Sequence, residues 1–232
     1  MPDSLTEQLL RLRFEDGPHK YYLSQGPSEV ELTSVTQMLS GLGLVDTSMF
    51  REEHLHNGTA RHFATELDDL GKLDEASLDE ITGPAVSAWR QFIADSKFVN
   101  KHIEVRGFSE SKQYAFTIDR VGVWGGKTAI VDIKGSSKLR TYPLQLWLYK
   151  LGWEELTGQE IERLASVHLQ PDGRSKTYIY EKDELAAAFA EVLPMIFQWK
   201  TGRRLFDDEV AEAIQSMSKW CLHNGNRIGR KR

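Results

Sequence analysis

Two aspartates and a lysine in an otherwise apolar stretch are the residues best suited to chemistry in this sequence. Asp132 and Lys134 close the run 129–134, which reads AIVDIK, and Asp119 lies in the segment before it. Carboxylates placed side by side repel each other unless a proton or a cation lies between them. Hard oxygen ligands of this kind suit Mg²⁺ or Mn²⁺, and a metal held there can activate water against a phosphodiester.

The pattern around these residues predicts two paired β-strands. Residues 114–121 are rich in aromatic and β-branched side chains, residues 129–133 form an apolar run, and Trp124-Gly125-Gly126 supplies the turn between them. Since residues two apart in a strand share a face, the aspartate and lysine of the run should point the same way, with the isoleucine between them in the core. Asp119 on the neighbouring strand is then close enough to converge with them.

Spacing alone does not identify such a site, because an acid and a lysine flank one residue three times in the chain. Asp95-Ser96-Lys97 falls at a predicted helix end and Glu110-Ser111-Lys112 in a polar hairpin turn, where solvated charge is the better interpretation. Only Asp132-Ile133-Lys134 lies in an apolar strand that follows an acid. The structural alternative for this third triplet is an ordinary charge pair at the exposed end of a strand.

Neighbouring segments could add further groups to the same place. Residues 102–108 are predicted to form a strand that precedes Asp119 through a polar hairpin at 109–113, which brings Glu104 near as a third acid. Glu104 could instead pair with Lys101 or Arg106.

A helix is predicted after the lysine. Pro143 suits its first turn, and Gln145 and Tyr149, four residues apart, share one face. Both could be ordinary packing residues. Residues 164–169 then predict a further strand.

With these residues in place, the chain resembles the PD-(D/E)XK nuclease superfamily, and within it the RecB-like and phage-type exonucleases. The resemblance spans roughly residues 14–170. It rests on matches to the family's metal acids and catalytic lysine, its Gln-x3-Tyr pair, its Gly-x-x-x-His segment and a prologue of phage members: Asp119, Asp132-Ile133-Lys134, Gln145, Tyr149, Asn57–His62, His19–Tyr22 and Leu32–Leu39.

Two features depart from the family pattern. Phe116 stands near the first acid, where the family often has a glycine, and fills space that would otherwise admit a ligand or backbone. The single cysteine, Cys221, excludes the four-cysteine iron–sulfur cluster of some relatives.

The resemblance implies a fold and a metal-dependent mechanism. The fold is α/β, a central mixed β-sheet of restriction-endonuclease-like type flanked by helices, with an N-terminal hairpin and helical wrap. The cofactor is Mg²⁺ or Mn²⁺. Lys134 orients or helps deprotonate the attacking water, with Gln145 and Tyr149 nearby. The implied metal ligands are His62, Glu104, Asp119, Asp132 and the backbone carbonyl of Ile133.

The expected partner is DNA with free ends, together with a single-strand annealing protein of the kind that phage exonucleases work beside. The net charge of −5 requires a local positive surface for DNA binding. Lys138 and Arg140, in the loop that leaves the strand of Lys134, are the predicted phosphate contacts. One cysteine and the lack of a signal peptide predict a cytoplasmic protein, in the host cytoplasm if it is viral.

The chain is predicted to form a single domain, residues 1–232, with N-terminal elements to residue 100, a catalytic core at 101–170 and C-terminal helices with a basic tail at 171–232. A hairpin at 14–32 and helices at 34–40, 50–70 and 78–95 are expected before the core, the last of them capped by Ser77 with Glu80. Two amphipathic helices are expected at 183–200 and 207–222.

Three functions remain open from the sequence. The first is a DNA exonuclease of phage recombination or DNA processing. The second is a structure- or sequence-specific endonuclease on the same fold. The third is a non-catalytic DNA-binding or assembly protein, which the complete set of two acids and a lysine argues against. The polarity of digestion and the oligomeric state are not legible from the residues.

Overall fold

A computed structural model of the 232-residue chain describes residues 5–41, 44, 52–137, 139 and 141–180. The helices of this part are α1 Leu5–Leu10, α2 Val35–Gly41, α3 Glu52–Asp69, α4 Thr82–Ser96 and α5 Tyr142–Thr157, with a short 3₁₀ turn at Glu75–Ser77. The strands are β1 Leu12–Glu15, β2 Lys20–Gln25, β3 Ser28–Ser34, β4 Val99–Ser109, β5 Tyr114–Trp124, β6 Lys127–Lys134, β7 Arg163–Leu169 and β8 Ser175–Tyr180. The helices predicted at 183–200 and 207–222 lie outside the described residues.

The strands form one eight-stranded mixed sheet in the order β1-β2-β3-β5-β6-β7-β8, with β4 paired to β5 off this path. Two of the pairings are parallel, β3 with β5 and β6 with β7, and the others are antiparallel. The predicted α/β class and the mixed sheet flanked by helices are confirmed. No helix in the described ranges is both long and apolar enough to cross a membrane.

The N-terminal strands form a three-stranded meander, in which β2 and β3 are the hairpin predicted within 14–32 and β1 is a further strand that was not predicted. A first turn at Asp16–His19, closed by a hydrogen bond from the His19 N–H to the Asp16 carbonyl (3.1 Å), separates β1 from β2. Gly26, at a φ of 66°, lies in the second turn, between β2 and β3. The first turn was overlooked because apolar and aromatic residues flank it closely on both sides.

The start of α4 also differs from the prediction. Ser77 does not cap a helix with Glu80; its hydroxyl donates to the carbonyl of Asp74 (2.7 Å) inside the 3₁₀ turn. The carboxylate of Asp79 instead accepts hydrogen bonds from the N–H groups of Ile81 (2.9 Å) and Thr82 (2.7 Å). A charged acceptor satisfies the free amides at a helix start better than a neutral hydroxyl, so the helix begins after Asp79.

Helices cover both faces of the sheet and enclose separate apolar layers. Helices α2 and α5 pack on one face, and α4 packs on the other with α3 beside it. Strand β6 shows the predicted alternation: Ala129, Val131 and Ile133 face α4, whereas Ile130 faces α5. Asp132 is therefore on the α5 side, which confirms that Ile133 enters the core between the aspartate and the lysine.

The connection between β5 and β6 is the predicted tight turn. Gly125 and Gly126 have φ values of 59° and 78°, the combination of two positive angles that a two-residue hairpin of type I′ requires. The turn fixes the register in which Trp124 pairs with Lys127 and Arg120 with Val131. The same register sets Asp119 opposite Asp132, one step beyond the last pair.

The ring of Phe116 is held between two glycines. A Cβ placed on Gly107 of β4 would lie 2.5 Å from this ring, and one on Gly152 of α5 would lie 2.3 Å from it. Real Cβ atoms do not approach so closely, so both positions need glycine while the phenylalanine is present. The bulky residue that departs from the family pattern is thus accommodated by its neighbours and is fully buried.

We expect Gly152→Ala to destabilise the protein by about 1–3 kcal/mol, because the new methyl group overpacks against Phe116. At an exposed helical position, replacing glycine by alanine would instead stabilise the protein by up to about 1 kcal/mol. The sign of the change in unfolding free energy therefore distinguishes a packed glycine from an exposed one. Urea unfolding followed by circular dichroism measures the difference. Gly83→Ala in α4, whose Cβ would meet nothing closer than 4.0 Å, is the matched control.

A second substitution tests the cause. In a protein that carries Phe116→Leu, Gly152→Ala should lower the free energy of unfolding by less than it does in the wild type. The smaller leucine leaves room for the new methyl group, so the two substitutions are not additive. Equal stability of the Gly152→Ala and Gly83→Ala proteins would contradict this packing.

Candidate metal centre and active site

The candidate site lies where the sheet forks. Strand β4 pairs with one edge of β5 along nearly all of its length, so β3 and β6 must share the other edge. Strand β3 pairs only with Tyr114 and Ala115, and β6 pairs with β5 from Arg120 onward. Residues 116–119 form no backbone pair with β3 or β6 on this edge of β5. A cavity opens there, between the diverging ends of β3 and β6.

The cavity has a volume of about 200 Å³ and receives side chains from several elements. It brings together six of the predicted site residues, which are His62, Asp119, Asp132, Lys134, Gln145 and Tyr149. His62 comes from α3 on one side of the sheet, and Gln145 and Tyr149 come from α5 on the other. The fork in the sheet is what allows groups from opposite faces to reach one space.

Asp119 is fixed by an unusual contact with the neighbouring strand. Its Oδ2 accepts a hydrogen bond of 2.6 Å from the backbone N–H of Ile133, so a side chain takes the place of a ladder partner. The strict alternation of β5 breaks here, since Ile118 and Val121 both enter the apolar layer under α5 although they are three residues apart. The break leaves Asp119 at the cavity and turns Arg120 to the opposite face.

Asp132 and Lys134 lie at the start of a polar chain that ends on α5. The Lys134 Nζ is 2.7 Å from Asp132 Oδ2 and donates a hydrogen bond of 3.1 Å to Gln145 Oε1. The Gln145 amide in turn donates to the Tyr149 hydroxyl at 2.6 Å. Gln145 and Tyr149 therefore share a face as predicted, and together they set the position of the lysine amine.

The third acid and the histidine form a cluster with Asp119. Single ligand atoms of His62, Glu104 and Asp119 lie within 4.8 Å of one another, and His62 Nδ1 is 3.8 Å from Glu104 Oε1 and 3.5 Å from Asp119 Oδ1. Glu104 stands opposite Asp119 across β4 and β5 and has a φ of 48°. A non-glycine residue in this region is strained, and such strain is found most often at functional sites.

These donors fit a divalent cation. The cluster offers two carboxylate oxygens, the hard ligands that Mg²⁺ and Mn²⁺ prefer, and an imidazole nitrogen, a softer ligand typical of transition-metal sites. Asp132 Oδ2 is buried and makes no hydrogen bond of proper direction to any described residue, although the Lys134 amine is at ion-pair distance. A buried carboxylate oxygen that lacks a well-directed hydrogen-bond donor can accept a cation as well as the contact with the lysine amine.

Burial and mutual repulsion shift the titration of the site. Burial, with Glu104 adding to it, raises the pKa of Asp119, although His62 and Lys134 oppose the shift. Burial also raises the pKa of Asp132, to about 6, against the opposing effect of Lys134. Burial alone would lower the pKa of both His62 and Lys134, but the nearby carboxylates reverse this and raise each pKa. The carboxylates thus favour a positive charge beside them, whether on the imidazole or on the amine.

Arg120 is a contributor that the sequence pattern did not reveal. Its side chain is entirely buried, and its guanidinium donates to Asp69 Oδ2 (2.6 Å), Glu104 Oε1 (3.0 Å) and the Asp119 carbonyl (2.7 Å). It also lies over the ring of Trp89 at 5.4 Å. This guanidinium holds Glu104 beside the cluster and offsets its charge. The signal in the sequence was an arginine inside an apolar strand, which must find buried acids as partners.

The N-terminal meander and the first turn of α2 supply another part of the cavity wall, which the sequence did not predict. Tyr21 bonds through its hydroxyl to the hydroxyl of Thr117 (2.8 Å), and His19, Ser34 and Thr36 also line the space. These residues reach the cavity because β3 pairs with the start of β5, a contact between segments about 80 residues apart that local sequence patterns do not predict.

Some predicted site residues are not placed in the cavity. Glu104 lies beside it, within the three-residue cluster. The Ile133 side chain is in the core and its N–H serves Asp119, so its carbonyl as a metal ligand stays a prediction. Lys138 and Arg140 lie outside the described residues.

No protein-family model and no curated protein matches the chain. Among solved structures it is similar to a candidate exonuclease from Eubacterium rectale, with 14% identity and a TM-score of 0.44, over 86% of this chain and 83% of that one. It is also similar to LHK-Exo in complex with dAMP, with 11% identity and a TM-score of 0.29, over 83% and 87% of the two chains. Similarities of this size do not decide the chemistry, so the function of the cavity has to follow from its own residues.

We expect cation affinity to fall as the pH drops, first through the raised pKa of His62 and then, below about 6, through that of Asp132. Above the raised pKa of Asp132 the carboxylate is already ionised, whereas below it each bound cation must displace a proton. The dissociation constant should then rise roughly tenfold per pH unit for each proton displaced. Isothermal titration of Mn²⁺ at pH 5 and pH 7.5, in buffers of different ionisation enthalpy, measures both affinity and proton release.

Asp132→Asn should remove most of this binding, and Asp172→Asn, which changes an exposed carboxylate paired with Arg174, should leave it intact. A pH-independent affinity, or full binding by Asp132→Asn, would rule out this cation site.

Proposed function

We propose that this protein is a metal-dependent DNA nuclease of the PD-(D/E)XK type, RecB-like branch, and that it acts as an exonuclease in phage-type DNA recombination or processing. The observation that carries the proposal is the convergence of Asp119, Asp132 and Lys134 in one cavity, with His62 beside them. Two acids and an amine so placed have no structural need to be there, because burying them costs free energy that an apolar core would not.

The cation would be held by Asp119 and Asp132, with His62 and Glu104 completing the ligand set and the Ile133 carbonyl as a further donor. When bound, Mg²⁺ or Mn²⁺ supplies Lewis acidity to the phosphate and lowers the pKa of water. His62, Glu104 and Asp119 suit that role because one ligand atom of each lies within 4.8 Å of the others, and Asp132 lines the same cavity as His62 and Asp119.

Lys134 supplies the positive charge that the reaction needs at the phosphate. The surrounding carboxylates raise the pKa of its ammonium group, so it keeps its protons at neutral pH and can stabilise the negative charge that develops on the phosphate oxygens. Gln145 holds the amine through its Oε1, and Tyr149 fixes the Gln145 amide. Tyr149 therefore positions Gln145, and Gln145 positions the lysine amine that contacts the substrate.

The cavity bears on the alternative functions. A non-catalytic DNA-binding protein has no use for a lysine held by two dedicated side chains against a buried acid. The choice between exonuclease and endonuclease depends on whether a DNA end is required, which a substrate test decides. A single-strand annealing protein as partner stays a prediction from the family resemblance.

We expect Asp132→Ala and Lys134→Ala each to lower the cleavage of DNA by at least about 10²-fold, since each removes a charge that acts in the transition state. Binding of DNA, measured by fluorescence anisotropy with Ca²⁺ in place of Mg²⁺, should largely persist. Lys127→Ala is the matched control, because this exposed lysine begins the same strand β6. Undiminished cleavage by either cavity variant would overturn the assigned site.

End-labelled linear and covalently closed circular DNA, single- and double-stranded, separate the two catalytic modes. An exonuclease degrades only the linear substrates in the presence of Mg²⁺, and chelation by EDTA stops it. Cleavage of the circular substrates at the same rate would replace the exonuclease proposal with the endonuclease one. Failure of the wild-type protein to cleave any of the four would refute the nuclease function.

A further inference from the structure

Arg61 differs from every other arginine in the described part of the chain because no oxygen of a described residue pairs with it. Each of the others forms an ion pair with a carboxylate or donates to a backbone carbonyl of the protein: Arg11, Arg13, Arg90, Arg106, Arg120, Arg163 and Arg174. A guanidinium has five donors and is always charged. One that is half-buried in a helix and lacks an acceptor is available to a ligand from outside.

The position of Arg61 points to which ligand that is. It lies in the middle of α3, directly before His62, and one helical turn before the buried Thr65. Its Nη1 lies 3.4 Å from the point that a Cβ on Gly135 would occupy. Gly135 follows Lys134 in the chain, so the guanidinium stands over the backbone at the exit of β6, next to the lysine.

The acids of the site have other partners than this guanidinium. Asp132 has Lys134, Glu104 has Arg120 and His62, and Asp119 has the Ile133 N–H. The absence of a side chain at Gly135 lets the guanidinium of Arg61 lie against the backbone that follows β6. A cation in this position, outside the paired charges of the site, can attract a polyanion to the end of β6.

We propose that Arg61 binds a backbone phosphate of the nucleic-acid substrate, the one adjacent to the phosphate that is cleaved. This rests on the proposed nuclease function and adds a contact that orients the strand over Lys134. A guanidinium forms two parallel hydrogen bonds to a phosphate, which fixes the angle of the strand as well as its position. Arg61 is thus a substrate-binding residue and not a metal ligand.

The test compares Arg61→Ala and Arg61→Lys with the wild type. Arg61→Ala should raise the KM for DNA roughly tenfold or more, with a smaller change in kcat and unchanged Mn²⁺ affinity. Its binding in Ca²⁺ should also lose about 0.7–0.9 from the slope of log K against log salt, the value for one phosphate contact. Arg61→Lys keeps the charge, so it should recover the salt slope but only part of the KM. Arg174→Ala, which removes an exposed arginine paired with Asp172, is the matched control.

Substrates with a single neutral methylphosphonate locate the contact. Scanning this group along the strand should weaken wild-type binding at one phosphate next to the cleavage position, and Arg61→Ala should lose that particular sensitivity while keeping the others. Wild-type KM and salt slope in Arg61→Ala, with the wild type active, would overturn the role of Arg61 alone. Absence of DNA binding and cleavage by the wild type would overturn the nuclease function and this inference with it.

Discussion

The mutual repulsion of three carboxylates is the constraint around which the site is arranged. Asp119, Asp132 and Glu104 meet at the fork of the sheet, and two charges about 4 Å apart interact by about 4 kcal/mol at an effective dielectric constant of 20. Each carboxylate is stabilised by a positive group or a hydrogen-bond donor: Lys134 contacts Asp132, Arg120 contacts Glu104, and the Ile133 N–H donates to Asp119. The pKa values of Asp119 and Asp132 remain raised, and a divalent cation bound between these carboxylates would relieve their repulsion.

The fork is also the reason that one cavity contains side chains from opposite faces of the sheet. In an unbroken sheet the strands would separate α3 from α5, and His62 would never meet Gln145. Because β3 pairs with only two residues at the start of β5 and β6 joins from Arg120, the opening lies at Asp119. The short parallel pairing of β3 therefore decides where the chemistry is placed.

Local sequence patterns predicted the parts of this arrangement that depend on near neighbours. The alternation around Asp132 predicted the face of β6 on which this residue lies. Gly125-Gly126 predicted the turn between β5 and β6, and Pro143 predicted the start of α5. What could not be predicted depends on distant pairing. The break in alternation beside Arg120 follows from the side-chain contact of Asp119 with Ile133, and no residue type announces it. The start of α4 was misplaced because two polar residues competed for the same amides and the charged one prevailed.

The packing of Phe116 between Gly107 and Gly152 ties three distant positions into one unit. Enlarging either glycine first meets the ring, so that order of change passes through a clash. Shrinking the phenylalanine first leaves only an empty space, which a larger residue at either glycine can later fill. During evolution, we therefore expect Phe116 to be replaced by a smaller residue before Gly107 or Gly152 is replaced by a larger one. Related sequences with a small residue at position 116 are the ones in which the glycine positions of β4 and α5 can change.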